Sequence, residues 1–114
     1  MKMDTYESGP VTVLRLDGDM NEEGTNQLRL ILAQYQEKRR THVVLNMEAV
    51  TYVSYLAVAA LLERLQVFRR QGGDIKLASA NVYTQRLLRM SSALHFFHLC
   101  DNESGAIEAF REAA

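Results

Sequence analysis

Ser54 is the residue of this sequence best placed to do chemistry. It stands inside AVTYVSYLAVAALLERLQ, residues 49–66, where an apolar strand pattern gives way to a helical one. A serine at such a junction can act as a nucleophile, take a phosphate or cap the helix. No GxSxG elbow surrounds it, so the strained turn that exposes a nucleophilic hydroxyl is not encoded. The other chemistry-bearing residues are scattered. His42, His95 and His98 are the only histidines. His95 and His98 lie three apart in HFFHLC, a segment expected to be extended, where they would face opposite sides. Neither an HExxH motif nor a carboxylate at ligand spacing accompanies them. Cys100 is the only cysteine, which excludes an internal disulfide and a CxxC metal pair. With Phe97 and Leu99 beside it, it reads as a core residue. Gly72-Gly73 has no P-loop lysine and threonine after it and reads as a helix stop. No catalytic set, metal site or cofactor cradle is expected, and an enzyme has no positive signal.

The elements that must position Ser54 follow from hydrophobic periodicity. A strand near residues 3–8 is separated by Gly9-Pro10 from VTVLRLDG, a second strand that Asp17-Gly18 should end. Asn21 is a helix cap. Leu28, Ile31, Leu32 and Tyr35 recur at helical spacing behind it. HVVLNM, residues 42–47, is the β-branched run of a strand covered on both faces. The helix after Ser54 runs over about 55–71, DIKLASA is the next strand, and Asn81 caps a helix through about Met90. HFFHLC forms a short strand or an extended segment. Asn102 or Asp101 caps a last helix whose Ala106, Ile107 and Phe110 share a face. The order β-β-α-β-α-β-α-β-α predicts an α/β fold, with right-handed crossovers and parallel strands after an N-terminal hairpin.

Size and charge bound the function. The 114 residues are expected to form one domain, 1–114, with 47% apolar and 24% charged residues and a net charge of −1. That balance gives no reason to expect nucleic-acid binding. The basic clusters Lys38-Arg39-Arg40 and Arg69-Arg70 sit where helices should end and complement their dipoles. The N-terminus lacks the pattern of a signal peptide, and no apolar run approaches a membrane span. A soluble cytoplasmic protein without direct membrane insertion is expected.

The helix after Ser54 carries a further signal. At 100° per residue, Val58, Leu61, Leu62, Leu65 and Phe68 fall on one arc, the expected core face. Leu56, Ala60 and Val67 fall near the opposite side, with Glu63 among them. Either another element covers this second apolar stripe or it is a protein-binding face.

The ordered set of motifs resembles the STAS domain, the anti-sigma factor antagonist family. HVVLNMEAVTYVSYLAVAALLERLQVFRRQGGDIKLASA is similar to its centre, where an apolar strand leads through Asp-Ser-Ser/Thr-Gly into a helix. GDMN, residues 18–21, resembles the family's Gly-Asp/Glu-Leu-Asp. VYTQRLLRMSSAL and ESGAIEAF resemble its third and fourth helices. The resemblance implies a mixed sheet of four to five strands with about four helices and right-handed β-α turns. It implies a partner-switching module that binds an anti-sigma factor of the histidine-kinase-like ATPase type. It places Ser54 on the family's Asp, Tyr55 on the first Ser, Leu56 on the phosphoacceptor and Ala57 on the Gly. The acceptor position therefore has no hydroxyl, and Ser54 is the only substitute, with helix capping its favoured role. By the same resemblance the partner would meet Asp19, Asn21, Ser54, Tyr55, Leu56, Ala60, Glu63 and Val67. A scaffold or transporter-associated STAS subunit, including one of a lipid-transport ATP-binding complex, is the alternative. A nucleotide- or lipid-binding STAS protein is a second, and a homodimer is a further expectation for a degenerate member.

Overall fold

A computed structural model describes residues 1–112. It contains β1 (Lys2–Ser8), β2 (Val11–Met20), α1 (Glu22–Glu37), β3 (His42–Val53), α2 (Tyr55–Arg70), β4 (Asp74–Ala78), α3 (Val82–Met90), β5 (His98–Cys100) and α4 (Glu103–Glu112). Gly9, with φ of 59°, turns the chain between β1 and β2, which pair antiparallel from Lys2–Asp17 to Ser8–Val11. The strands β2 to β5 are parallel, and the sheet order is the chain order. The fold is therefore the mixed sheet with four helices that the sequence implied.

Three successive right-handed crossovers put α1, α2 and α3 on one face of the sheet. That face holds the main core: Leu14 and Leu16 of β2, Val43, Leu45 and Met47 of β3, Ile75 and Leu77 of β4, and Leu28, Leu32, Leu61, Leu65 and Phe68 from the helices. The other face carries Val11, Val13, Val44 and Ala78, covered by Ala106, Ile107 and Phe110 of α4.

Two strands outrun their sequence pattern. β2 does not stop at Asp17-Gly18, and β3 does not stop at Met47. Gly18 has φ of 123° at an irregularity in the ladder, and pairing resumes through Asp19–Tyr52 and Met20–Val53. β4 ends at Ala78, opposite Asn46. The paired ends of β2 and β3 thus project past it as a two-stranded arm. HFFHLC is not one strand either. Leu94–Phe96 form a single 3-10 turn, and only His98–Cys100 pair with β4. Nor does Arg40 serve the α1 dipole. Its guanidinium donates to Thr12 Oγ1 at 2.9 Å and to the Gly9 carbonyl at 3.1 Å, which braces the hairpin.

α4 is latched through one carboxylate. Glu103 accepts two bonds from Arg15 at 2.9 Å, one from Tyr6 at 2.6 Å and one from Asn46 at 3.0 Å. The Arg15 hydrogen bond comes first among the causes that hold its carboxyl down at about 2. Because the folded value lies below the unfolded one, the latch contributes fully above about pH 4.5 and is lost as pH falls towards 2. Glu103→Gln should therefore cost about 1–3 kcal/mol at pH 7, with the gap to wild type closing near pH 2. Paired denaturant titrations at the two pH values check this, and a gap that does not change with pH refutes it.

Candidate functional site

The β3–α2 junction lies at the carboxyl edge of the parallel strands, where α1, α2 and α3 all begin. Each start is capped by a side chain that accepts a backbone N–H three residues on. Asn21 takes that of Gly24 at 2.9 Å, Ser54 that of Ala57 at 3.1 Å and Asn81 that of Thr84 at 2.8 Å. The caps are also tied across the sheet. Ser54 N–H donates to the Met20 carbonyl at 3.1 Å, and Asn81 Nδ2 to the Val50 carbonyl at 3.3 Å. On the arm, Thr51 Oγ1 donates to Asp19 Oδ1 at 2.6 Å.

Ser54 is half-buried in extended backbone, with φ of −83° and ψ of 162°. Its hydroxyl oxygen is engaged in the cap. Ser54→Ala is expected to cost about 0.5–2 kcal/mol, read from the denaturation midpoint. A midpoint that stays at the wild-type value shows that the cap is not what this serine contributes.

The stripe expected on α2 is corrected by the packing. Ala60 is buried at 2% exposure, and Val67 packs against the main core. α1 runs beside α2, linked by Arg64 Nη1 to Gln36 Oε1 at 2.9 Å, and the covered arc is wider than a single sheet contact would make it. The solvent stripe runs instead through Ala59, Glu63, Gln66 and Arg70 and is mostly polar. Glu63 pairs with Arg64 at 3.2 Å. Only the first turn exposes large apolar side chains, Tyr55 at 60% and Leu56 at 42%.

The same edge of the sheet carries further exposed apolar residues that the sequence reading does not flag. Tyr52, Val82 and Tyr83 are exposed at 53%, 65% and 74%. Tyr52 and Tyr83 line one groove of about 190 Å³ with Thr51, Val53, Thr84 and Leu87. The signal was present, because Asn81-Val82-Tyr83 repeats the pattern of Ser54-Tyr55-Leu56: a cap followed by two large apolar residues. Asp19, Asn21, Glu22 and Glu23 are exposed on the α1 side of this surface. None of the three carboxylates is ion-paired among the described residues.

The histidines do not converge. His42 packs edge-on against Phe110 at 5.3 Å, His95 lies against Phe96 at 4.3 Å, and His98 Nδ1 meets Lys76 Nζ at 2.9 Å. Cys100 is half-buried beside the α4 cluster, and burial pushes its thiol pKa up, away from reactivity. Among the described residues no three His, Cys, Asp or Glu side chains are grouped to hold a metal ion, and no helix is long and apolar enough to cross a membrane. What the carboxyl edge offers is exposed apolar and tyrosine side chains.

Comparison with known proteins places this geometry. The STAS domain family model matches residues 2–106. The unphosphorylated anti-sigma factor antagonist SpoIIAA superposes with a TM-score of 0.85 at 17% identity, covering 97% of each chain. An anti-sigma factor antagonist from Mycobacterium paratuberculosis gives 0.86 at 14%, covering 96% of this chain and 93% of its own. A sulfate transporter family protein from Wolinella succinogenes gives 0.78 at 15%, covering 90% and 86%. At these identities the likeness is one of fold.

Proposed function

The chain belongs to the STAS domain family, and from that premise we propose that it is a non-enzymatic regulatory protein-binding module. In this reading it is a cytoplasmic antagonist of an anti-sigma factor of the histidine-kinase-like ATPase type, and it works without the family's hydroxyl switch. The observation that carries the proposal is Leu56. It is exposed at the α2 start, next to Tyr55, on the same edge of the sheet as the exposed Tyr52, Val82 and Tyr83. Phosphorylation adds about −1.5 to −2 charge at pH 7, enough to break an apolar contact. A leucine cannot receive it, so the contact made here is regulated by abundance or by the partner, not by a phosphate on this residue.

A second reading, a STAS subunit that works with a transporter, draws support from the likeness to the Wolinella succinogenes protein. It uses the same surface on a different partner.

The test takes any histidine-kinase-like anti-sigma factor found in the genome that encodes this chain, each purified and mixed with it and ATP. The expected result is a stable complex with at least one, and an intact mass with no phosphate in residues 51–56. Stoichiometric phosphate in that segment, on Ser54 above all, overturns the switchless reading. Failure of every such kinase to bind, with binding to a transporter instead, favours the second reading.

A further inference from the structure

We propose that this surface takes a basic partner: a protein face whose apolar anchor meets Leu56 and whose arginines lie over Tyr52 and against Asp19, Glu22 and Glu23. The inference rests on the docking role proposed above and adds the chemistry of what docks. It stands on how charge is distributed, because the net charge of −1 conceals a separation. At the carboxyl edge stand Asp19, Glu22 and Glu23, exposed and free of ion pairs among the described residues. At the opposite ends of α1 and α2 stand Lys38, Arg39, Arg40, Arg69 and Arg70. The cations nearest the surface are Lys2 of β1, in register with Asp17, Arg86, one turn after Val82 on α3, and Arg29, further along α1.

The simplest account of Glu22 and Glu23 is that they complement the α1 dipole, and they do so. That account does not extend to Asp19, which precedes the cap and lies in register with Tyr52. Nor does it explain why the first turns of α2 and α3 carry no acidic residue. The surface is thus polarised. Its α1 side has three carboxylates, and its α2 and α3 side has Arg86 and the positive partial charges of two helix ends, about half a charge each and felt within a turn. A cation gains on the α1 side, and the apolar anchor belongs over α2 and α3. The open ring of Tyr52 favours a guanidinium, which can stack on its face while pairing with Asp19. The same charges repel nucleic acid and anionic lipid.

The probes are three synthetic amphipathic helices that share one leucine-phenylalanine stripe and are flanked by arginine, lysine or glutamate. Each is titrated at low salt into the full chain labelled with ¹⁵N. The arginine peptide should shift the amides of Asp19, Glu22, Tyr52, Leu56 and Tyr83. It should bind more tightly than the lysine peptide and weaken steadily as salt is added. Glu22→Gln with Glu23→Gln should weaken it about tenfold, with circular dichroism showing the double variant folded. If the glutamate peptide binds the same amides as tightly, or the double variant binds the arginine peptide unchanged, the basic-partner inference fails while the docking role survives. If no peptide shifts those amides, both fail. If the same amides shift with protein concentration alone, a second copy covers the face and the inference is overturned.

Discussion

Leu56→Asp should cost the protein its partner and none of its stability. Burying a leucine side chain in an interface contributes about 1.5–3 kcal/mol, so Leu56→Ala alone should weaken association by about one to two decades. Aspartate adds the desolvation of a carboxylate inside an apolar contact, and the loss should exceed that of alanine. The fold should not suffer, because Leu56 is 42% exposed and lies in a first turn that has no acidic residue. A carboxylate there complements the helix end and should hold or slightly raise the melting temperature. Partner affinity measured beside a thermal melt decides the matter. Unfolding would mean that Leu56 is part of the core. Full retention of binding by a folded variant would remove this surface from recognition, and tighter binding would put the partner's positive charge over α2 instead of beside α1.

The largest effect on stability is expected at Gly73. A Cβ there would lie 2.0 Å from the Thr41 carbonyl oxygen and 2.6 Å from its carbonyl carbon. The obstacle is backbone at the start of the central strand, held by the bond from Asp74 N–H to that same carbonyl at 2.9 Å. It cannot swing away as a side chain would. Gly73→Ala should cost about 3 kcal/mol or more. Gly72→Ala makes the control. Gly72 has φ of 82° but open space around it, so only the left-handed backbone is penalised, at about 1–2 kcal/mol. Chemical denaturation of both variants measures the order. If Gly73→Ala proves the milder of the two, Thr41 yields and the close approach is not rigid.

Those two glycines show what a sequence can and cannot convey. Gly72-Gly73 is legible as a helix stop because the need for left-handed backbone is local. That Gly73 also lets a turn pass against Thr41 is not, because the contact joins residues far apart in the chain. The same division runs through the site. The caps Asn21, Ser54 and Asn81 act within three residues of themselves and were readable. The order of elements, the N-terminal hairpin and the main buried faces were readable as well. The exposure of Ala60 and Val67 was misjudged, because a helical wheel marks an apolar side but not the neighbour that covers it. Tyr52 was overlooked because β3 runs on beyond its β-branched segment. It does so only because β2 runs on with it, and neither strand signals that alone. HFFHLC reads only as a strand or an extended segment because β-propensity cannot separate a pairing residue such as His98 from the turn before it.

The sheet order has a consequence for how the chain is made. Each strand pairs with the one before it, so nothing in the sheet waits for a distant segment. As the polypeptide leaves the ribosome, β1 and β2 can close first, and β3, β4 and β5 can then add one by one to the newest edge. Such growth is sequential, although each parallel pairing still closes a loop that contains a whole helix, which slows it. It also leaves a bare edge and one uncovered face on every intermediate. Val11, Val13, Val44 and Ala78 stay open to solvent until α4, which follows β5 in the chain, lies across them. A nascent chain that has emerged from the ribosome through β5 but not yet α4 would therefore display a nearly complete sheet with one apolar face bare, and chaperones should bind nascent chains at that stage most strongly.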